Sequence, residues 1–282
     1  MAQDKTPEKA QKNALVGNPV PRLRGNDYEP GIIKERQDFA EAQTGASLHH
    51  IRQASFDPAS LAGNIEHAFG VAQVPLGLAG PLVVDGEHAS GSFYVPMATT
   101  EGTLVASYNR GMRLLAECGG VKTTILERYM QRAPVFHFND ARQARAFGGW
   151  FDQHIDSIRE AAEATTSVGK LHHVEQYGVG PMRYLRFNYT TGDAAGQNMA
   201  GKATHAACTW IVENYPEEIR YTLSGAIDTD KKHSQLNMLH SRGARVVAEA
   251  VIPNELMRRI MRADNRDLFR ARQVSHTGGM LA

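Results

Sequence analysis

The sequence predicts an α+β fold in which a small α/β sandwich is inserted into a larger domain. Strand-like and helical segments alternate over residues 134–222, a length that suits a small domain. Ala133 marks where this region begins, because a residue that precedes proline avoids the helical region. Strand-like segments also lie outside it, with Val121–Arg128 before it and RVVAEAVI over residues 245–252 after it. The larger domain therefore lies on both sides of the insertion.

The first part of the larger domain is predicted over residues 29–133, after a disordered arm of residues 1–28. The beginning of the arm is rich in Lys, Gln, Asn and Pro, so it has little apolar surface to bury. The segment IIKERQDFAEAQTG predicts a helix that ends at Gly45, a typical C-cap. Val71–Val84 is apolar but is interrupted by prolines and glycines, so we expect strand-like segments joined by turns.

A hairpin and a helix come next. Asp85-Gly86 is typical of a tight hairpin turn, and Ser92–Val95 is predicted to be the returning strand. In the following VPMATTEGTLVAS, Thr99 and Thr100 offer capping hydroxyls, and Glu101 is predicted in the first turn of a helix. The body of this helix is predicted over Leu104–Cys118. The helix dipole alone favours an acid at that position, so the pattern leaves a structural and a chemical role for Glu101 open.

The predicted sandwich has the periodicities of both helices and strands. Asn139 or Asp140 caps a long helix, and Leu185, Phe187 and Tyr189 alternate with polar residues in a half-buried strand. Apolar residues of the long helix recur at three- and four-residue steps: Ala144, Phe147, Phe151, Ile155, Ile158 and Ala162. A connection over 221–232 returns to the second part of the larger domain, residues 223–282, where a basic helix is predicted over Glu255–Asp264.

The composition is that of an ordinary soluble globular protein, with 42% hydrophobic and 22% charged residues. A net charge of +1 predicts neither nucleic acid nor an anionic membrane as a partner. Two cysteines are too few for a disulfide framework, and the histidines lack metal-binding spacing, so no metal is expected. Because there is neither a signal peptide nor an apolar run of membrane-spanning length, we expect a cytoplasmic protein.

Three polar motifs have two interpretations each. Asp230-Lys231-Lys232 is either a solvated charge run in a loop or part of a site. GDAAGQN over residues 192–198 is either a plain turn or a place where backbone approaches a phosphate at a helix start, and it is not the GxGxxG fingerprint. The third group follows Glu101 and, as a pattern alone, is a solvated helix face: Ser107, Asn109 and Arg110.

Together these motifs resemble the 3-hydroxy-3-methylglutaryl-CoA (HMG-CoA) reductase family. VPMATTEGTLVAS with the following NRG, VAQVPLGLAGPLVVDG over residues 71–86, and SGAIDTDKK carry the resemblance, which extends from about residue 30 to the end. It implies a large substrate-binding domain with an inserted ferredoxin-like α/β sandwich for the cofactor. The reaction implied is the two-step NAD(P)H-dependent reduction of HMG-CoA to mevalonate and CoA, in isoprenoid biosynthesis.

The resemblance also implies a role for each matched residue. Glu101 would protonate the substrate carbonyl oxygen, and Lys231 would stabilise negative charge on the thioester oxygen. The hydroxymethylglutaryl moiety would be bound by five residues: Arg132, Ser224, Asp230, Lys232 and Asn237. Among them, the guanidinium of Arg132 suits a carboxylate. Coenzyme A would contact Ser107, Asn109 and Arg110.

GDAAGQN resembles the family's cofactor motif DAMGMN, with Ala195 and Gln197 in place of two methionines. The resemblance implies that nicotinamide dinucleotide contacts Asp193, Gly196 and Asn198. NADPH is the expected cofactor and NADH the alternative, because Val168 stands where many members place a polar or basic residue near the 2′-phosphate. A homodimer or higher oligomer is also implied.

The C-terminal end differs from the family pattern. The catalytic Asp and His of the family lie beyond the position of Ala282. The sequence is therefore either a fragment of a longer reductase or a natural truncation, and we expect the 282 residues alone to work at a reduced rate. The alternative function is a non-catalytic acyl-CoA or nucleotide-binding paralogue. Tight HMG-CoA binding without NAD(P)H oxidation would distinguish that paralogue from an enzyme.

Overall fold

The computed structural model describes residues 18–230 and 233–281. The chain forms two compact units, one of Met1–Ala79 with Pro96–Ser107 and one of Gly80–Val95 with Tyr108–Ala282. Among the helices of these described residues, none is long and apolar enough to cross a bilayer.

Helices and strands alternate along the described residues. The helices are α1 (Pro30–Thr44), α2 (Leu104–Glu117), α3 (Ala141–Gln153), α4 (Ile155–Glu163), α5 (Gln197–Asn214), α6 (Gln235–Leu239), α7 (Asn254–Leu256) and α8 (Asn265–Leu281). The strands are β1 (Leu76–Gly86), β2 (Ser90–Ala98), β3 (Val121–Arg132), β4 (Val135–His137), β5 (Lys170–Val179), β6 (Met182–Thr190), β7 (Arg220–Thr222) and β8 (Gly243–Glu249). A 3-10 turn (Pro58–Leu61) and a π-helical turn (Met257–Met261) complete the set.

The first unit is organised around the buried side chain of Arg36 on α1. Its guanidinium donates to the carbonyl oxygens of Pro21, Asp27 and Ala68, each at 2.9 Å, and pairs with the Asp27 carboxylate. The helix ends at Gly45 as predicted, with φ 69 and its N–H bonded to the Glu41 carbonyl. Residues 1–17 of the predicted arm lie outside the described residues.

The second unit contains most of a mixed sheet in which β3 is the central strand. The order is β2-β1-β3-β6-β4-β7, with β5 beside β6 and β8 beside β3. β1 runs parallel to β3, with Val84 opposite Val121, whereas β8 runs antiparallel to β3. The last residues of β3, from Met130 to Arg132, pair with β6. The protein therefore has the α+β class that the sequence predicts.

Residues from β4 to β7 form a four-stranded antiparallel layer in the order β5-β6-β4-β7, packed against α3, α4 and α5. The alternation along β6 is confirmed: Leu185, Phe187 and Tyr189 are fully buried against the helices. The predicted helical stripe lies in the same core with Phe147, Phe151, Ile158 and Ala162, and Ile155 packs against it. Ala144 is buried as well. Asp140 caps α3 by accepting from the N–H groups of Arg142 and Gln143.

The predicted long helix is wrong at His154, where it divides into α3 and α4. The ring Nδ1 of His154 donates to the Trp150 carbonyl at 2.7 Å, and its backbone N–H bonds to Phe151 instead. The imidazole thus bonds to the Trp150 carbonyl oxygen, which in a continuous helix would accept the backbone N–H of His154.

Two other expectations near the start of the second unit also need correction. Leu76–Gly86 is one strand rather than segments joined by turns, because the Gly80 N–H is satisfied by the Asn109 side chain and Pro81 has no N–H to place. The hairpin turn consequently lies after Gly86, whose N–H bonds to the Ala89 carbonyl.

The predicted positions of two helices also change because of left-handed residues. α2 covers Leu104–Glu117, which confirms the predicted body of the helix, but Glu101 lies in the preceding turn rather than in the first turn of the helix. Thr103 has φ 68, which a continuing helix cannot accommodate. The basic helix predicted over Glu255–Asp264 ends at Met261, because Arg262 has φ 56.

Candidate active site

Arg132 and Ser224 meet beside a buried carboxylate. Arg132 is the last residue of β3, and Ser224 follows β7, where the Gly225 N–H bonds to the Ala133 carbonyl at 2.7 Å. Arg132 Nη1 lies 3.2 Å from Asp228 Oδ2, and Ser224 Oγ donates to the same oxygen at 2.9 Å. The Asp228 side chain is only 4% exposed. The site thus contains a guanidinium and a hydroxyl that share one acceptor oxygen.

Gly225 allows this approach. A Cβ at Gly225 would lie 2.8 Å from Tyr184 Cδ1, closer than side chains tolerate. The chain can therefore bring Ser224 to the end of β3 only with glycine at this position.

A strained elbow follows Asp228. Thr229 is buried with φ 57, a rare conformation for a β-branched residue that commonly marks functional sites. Asn237 holds it: Thr229 Oγ1 donates to Asn237 Oδ1 at 2.7 Å, and Asn237 Nδ2 donates to the Thr229 carbonyl at 3.1 Å. The Asn237 amide, predicted to bind substrate, is therefore engaged in fixing the loop that leads to Asp230.

Arg242 also holds the segment from Asp228 to Asp230. Its Nη1 donates to the carbonyls of Gln131 and Asp228 at 2.7 and 3.1 Å, and its Nε lies 3.6 Å from the Asp230 carboxylate. Burial lowers the pKa of Arg242, although the nearby carboxylates of Asp230 and Asp228 oppose this. Sequence reasoning missed Asp228 and the role of Arg242, because no motif spacing distinguishes them from ordinary loop residues.

Asp230 connects this cluster to the glycine-containing turn. Gln197, the first residue of α5, donates from Nε2 to both Asp230 carboxylate oxygens at 3.2 Å. The preceding Gly196 has φ 80, and the Asp193 and Asn198 side chains are exposed around it. The structure therefore places the predicted cofactor motif next to a predicted substrate residue. Lys231 and Lys232 lie outside the described residues.

The predicted acid belongs to the other unit. Glu101 is exposed, and its N–H bonds to Thr99 Oγ1 at 2.9 Å. Ser107, in the same unit, is also exposed.

A basic pocket of about 760 Å³ lies in the second unit between α2 and the π-helical turn. Asn109 accepts a bond from the Gly80 N–H at 2.8 Å, so one predicted CoA residue shapes the pocket wall through β1. Arg113 and Arg259 pair with Glu117. Four guanidinium groups line the pocket: Arg110, Arg113, Arg259 and Arg262. The last three were not foreseen from the sequence, in which they are scattered.

A second buried ion pair supports the site from the sheet face opposite the core. Arg186 is fully buried and binds the Glu175 carboxylate at 3.1 Å and the His240 carbonyl at 3.1 Å. Burial raises the pKa of Glu175, but the Tyr177 hydroxyl and Arg186 outweigh it, so the pKa lies below its usual range. Burial, together with Glu175, raises the pKa of Tyr177 to about 12. Arg186 thereby anchors the loop that follows α6.

In the part of the chain that the structure describes, no three His, Cys, Asp or Glu side chains are grouped so that they can hold a metal ion.

Comparison with known families agrees with these motifs. The family model described as hydroxymethylglutaryl-coenzyme A reductase matches residues 32–282. The chain belongs to this reductase family. The 3-hydroxy-3-methylglutaryl-coenzyme A reductase of Pyrococcus horikoshii is 44% identical over 224 residues, which are 79% of this chain and 54% of that protein. The reductase of Aeropyrum pernix is 35% identical over 263 residues, 93% of this chain and 62% of that protein.

The reductase fold is also found among solved structures. A class II 3-hydroxy-3-methylglutaryl-CoA reductase from Streptococcus pneumoniae, bound to NADPH in open conformations, matches with a TM-score of 0.54 and 17% identity over 86% of this chain and 62% of that one. This likeness shows the fold. The chain spans about half the length of the Pyrococcus relatives that it matches.

Proposed function

We propose that the protein takes part in the NAD(P)H-dependent reduction of HMG-CoA to mevalonate and CoA. The observation that carries this proposal is the cluster of Arg132, Ser224 and Asp230 at one place in a member of the reductase family. These groups offer a cation for the terminal carboxylate and polar atoms for the 3-hydroxyl of the hydroxymethylglutaryl moiety.

The roles of the substrate residues follow from their chemistry. The Arg132 side chain is 22% exposed and its Nη1 lies beside the Asp228 carboxylate, and we assign to Arg132 the substrate carboxylate. Ser224 is exposed next to it and Asp230 is partly exposed, so both are accessible to the acyl group. Asn237 acts through Thr229 and the loop.

The catalytic roles rest on the family motifs. Reduction of a thioester to an alcohol takes two hydrides and two protons, releases the thiol, and converts two NADPH to two NADP⁺. Lys231 stabilises the oxyanion of the hemithioacetal formed in the first step, and Glu101 gives the proton to the aldehyde oxygen in the second.

Coenzyme A is assigned to the basic pocket. Its phosphates carry several negative charges, and four arginines line this pocket of about 760 Å³. Asn109 and Arg110, to which the resemblance assigns contacts with CoA, line this pocket, which supports the proposal, and Ser107 precedes them on α2.

The dinucleotide is assigned to the turn before α5, where its role is to supply the hydride. The residues present fit it: Gly196 in the left-handed region precedes an 18-residue helix, and a Cβ there would lie 2.3 Å from Thr191 Cγ2. The first N–H groups of a helix bind phosphate, and Asp193 and Asn198 are exposed beside them.

We also propose that residues 134–222 are an inserted ferredoxin-like cofactor domain. The strand order β5-β6-β4-β7, with every neighbouring pair antiparallel and helices between the strands, supports this assignment. NADPH is the cofactor that we favour, in keeping with the ligand of the Streptococcus structure.

The test combines binding with turnover. Calorimetry should show HMG-CoA and NADPH binding to the 282-residue chain, and NADPH should bind more tightly than NADH. NADPH oxidation that depends on HMG-CoA, with mevalonate as product, would support the reductase. Tight binding of both ligands without oxidation would instead favour a binding protein, and failure to bind HMG-CoA would refute the proposal.

A further inference from the structure

We propose that His172 and His173 form a two-histidine site for a divalent transition-metal cation at the start of β5. No motif by which the sequence resembles the reductase family includes either histidine. The pair also shares no residue with the groups to which the acyl moiety, coenzyme A and the dinucleotide are assigned. The inference therefore stands independently of the proposed function.

The first observation is a bulge in β5 that brings the two rings together. In a regular strand, consecutive side chains point to opposite faces of the sheet, so adjacent histidines cannot share a ligand. Leu171 and His173, however, pair with two consecutive residues of β6, which makes His172 the extra residue of a β-bulge. The Nδ1 atoms of His172 and His173 lie 2.8 Å apart. Because this irregularity depends on the pairing with β6, the spacing of the histidines in the sequence did not indicate it.

The second observation is a chain of hydrogen bonds that includes all four imidazole nitrogens. Tyr129 Oη lies 3.4 Å from His172 Nε2, and His173 Nε2 lies 3.4 Å from Glu175 Oε1. Because a carboxylate only accepts, His173 carries its hydrogen on Nε2 and directs the lone pair of Nδ1 at His172. The hydrogen between the two Nδ1 atoms then belongs to His172, whose Nε2 accepts from the Tyr129 hydroxyl.

A metal cation can replace this shared hydrogen without leaving any of these groups unsatisfied. When His172 carries its hydrogen on Nε2 instead, the Tyr129 oxygen accepts it, because a hydroxyl both donates and accepts. Both Nδ1 atoms then direct lone pairs at one point. Zinc binds imidazole nitrogen at about 2.0–2.1 Å, which at a tetrahedral angle separates the two nitrogens by about 3.3 Å. The rings therefore need to part by only about 0.5 Å.

The contacts of the Nε2 atoms suit ligands of a metal. A histidine that binds a metal usually gives its other ring N–H to an oxygen, which fixes the orientation of the ring. Glu175 is such a partner for His173, and Tyr129 for His172. Imidazole is a preferred ligand of Zn²⁺, Cu²⁺ and Ni²⁺, so these are the cations that the site fits.

A pocket beside the pair provides room for water ligands. It has a volume of about 280 Å³ and is lined by His173, Glu127 and Glu175 among others. Arg245 and Arg186 pair with these two carboxylates, so the imidazole lone pairs rather than net negative charge provide the affinity. Among the described residues no third His, Cys, Asp or Glu completes a metal-binding group, so water occupies the remaining coordination positions.

The test is calorimetric titration of Zn²⁺ into the 282-residue chain, prepared without an affinity tag. We expect saturable binding of one equivalent. His172→Gln and His173→Gln each remove one ligand, and each should weaken binding by more than the about tenfold that loss of an outer contact costs. His172 is exposed and the His173 side chain is 42% exposed, so both variants should fold.

The chain contains a matched control in His49 and His50. Their ring centroids lie 5.0 Å apart at an interplanar angle of 74°, close to the 5.0 Å and 81° of the proposed site. His49 Nε2, however, bonds to the Gln53 side chain rather than facing the neighbouring imidazole. His49→Gln should therefore leave the affinity for Zn²⁺ unchanged.

Two further measurements address the geometry. Tyr129→Phe keeps the ring and removes the hydroxyl that bonds to His172, so it should weaken Zn²⁺ binding by about tenfold. X-ray absorption at the zinc edge of the unaltered protein should show two imidazole nitrogens, and it needs no variant to fold.

Four results would overturn the inference. They are no saturable binding to the unaltered protein, unchanged affinity in both His172→Gln and His173→Gln, fewer than two imidazole ligands at the zinc, and an equal loss in His49→Gln. The last result would mean that zinc binds adventitiously to surface histidines. None of these results bears on the binding of HMG-CoA.

Discussion

The hydrogen bonds from Gln197 to Asp230 predict that the two ligands of the proposed reaction bind cooperatively. Gln197 begins α5 next to the turn assigned to the dinucleotide, and its Nε2 lies 3.2 Å from each Asp230 oxygen. A bound dinucleotide orders this turn and so holds Gln197, which in turn fixes Asp230 for the acyl group. Gln197→Met removes the donor and keeps the length of the side chain.

The magnitude follows from the environment of the pair. Hydrogen bonds to a charged group contribute about 1.5–3 kcal/mol when water is excluded. Because the Asp230 side chain is 39% exposed, water replaces part of this interaction, and about 1 kcal/mol remains for the coupling. That free energy corresponds to roughly fivefold in a dissociation constant.

Calorimetry measures the coupling directly. The dissociation constant of HMG-CoA is determined with and without saturating NADPH, and the reverse experiment must give the same factor because coupling is reciprocal. We expect roughly fivefold in the unaltered protein and a factor near one in Gln197→Met. Gln153→Met, at an exposed residue of α3, is the matched control and should keep the fivefold effect. An unchanged factor in Gln197→Met, with both ligands still bound, would refute the reasoning.

Three further predictions concern stability, pH and cofactor choice. Phe147 is fully buried and contacts the rings of Phe136 and Phe151. Phe147→Ala should therefore lower the free energy of unfolding, measured in urea, by roughly 3–5 kcal/mol. Arg145→Ala, at an exposed position of the same helix, is the control and should change it by less than about 0.5 kcal/mol. The lowered pKa of Glu175 contributes stability at pH values above its ordinary value of 4.5, and this contribution is lost as pH falls through the folded-state value. The difference in unfolding free energy between the unaltered protein and Glu175→Gln should therefore narrow below pH 4.5, and a constant difference would contradict this. Val168 is 61% exposed beside Gly192 of the turn assigned to the dinucleotide, so Val168→Arg should favour NADPH over NADH by about a further tenfold in competition binding, through a charge-assisted bond to the 2′-phosphate. An equal gain for NADH would exclude that contact.

Local periodicity was sufficient for much of the fold. Burial is predictable where it follows the periodicity of a single helix or strand. This holds for the helical stripe from Ala144 to Ala162 and for the alternation of Leu185, Phe187 and Tyr189. β5 was not predicted, because a register shift between Leu171 and His173 disturbs its alternation and its partner β6 determines its pairing.

The candidate site shows the same limit more clearly. The family resemblance alone pointed to Arg132 and Ser224, whose roles stay a prediction. Asp228 becomes meaningful only through its contact with Arg132, 96 residues earlier in the chain. The position of Glu101 was placed wrongly within α2, because a propensity argument does not foresee the left-handed backbone at Thr103. A side-chain contact between distant segments thus determined the first feature, and a left-handed backbone conformation determined the second.

The central claim is that Arg132 and its neighbours bind the carboxylate of the hydroxymethylglutaryl group. Its most direct test is calorimetric titration of HMG-CoA and of free CoA into the unaltered chain and into Arg132→Lys, which keeps the charge opposite Asp228 but loses the planar fork. We predict that the variant binds HMG-CoA about tenfold more weakly and binds CoA with unchanged affinity. Equal HMG-CoA affinity in the two proteins, or no HMG-CoA binding to either, would contradict the account.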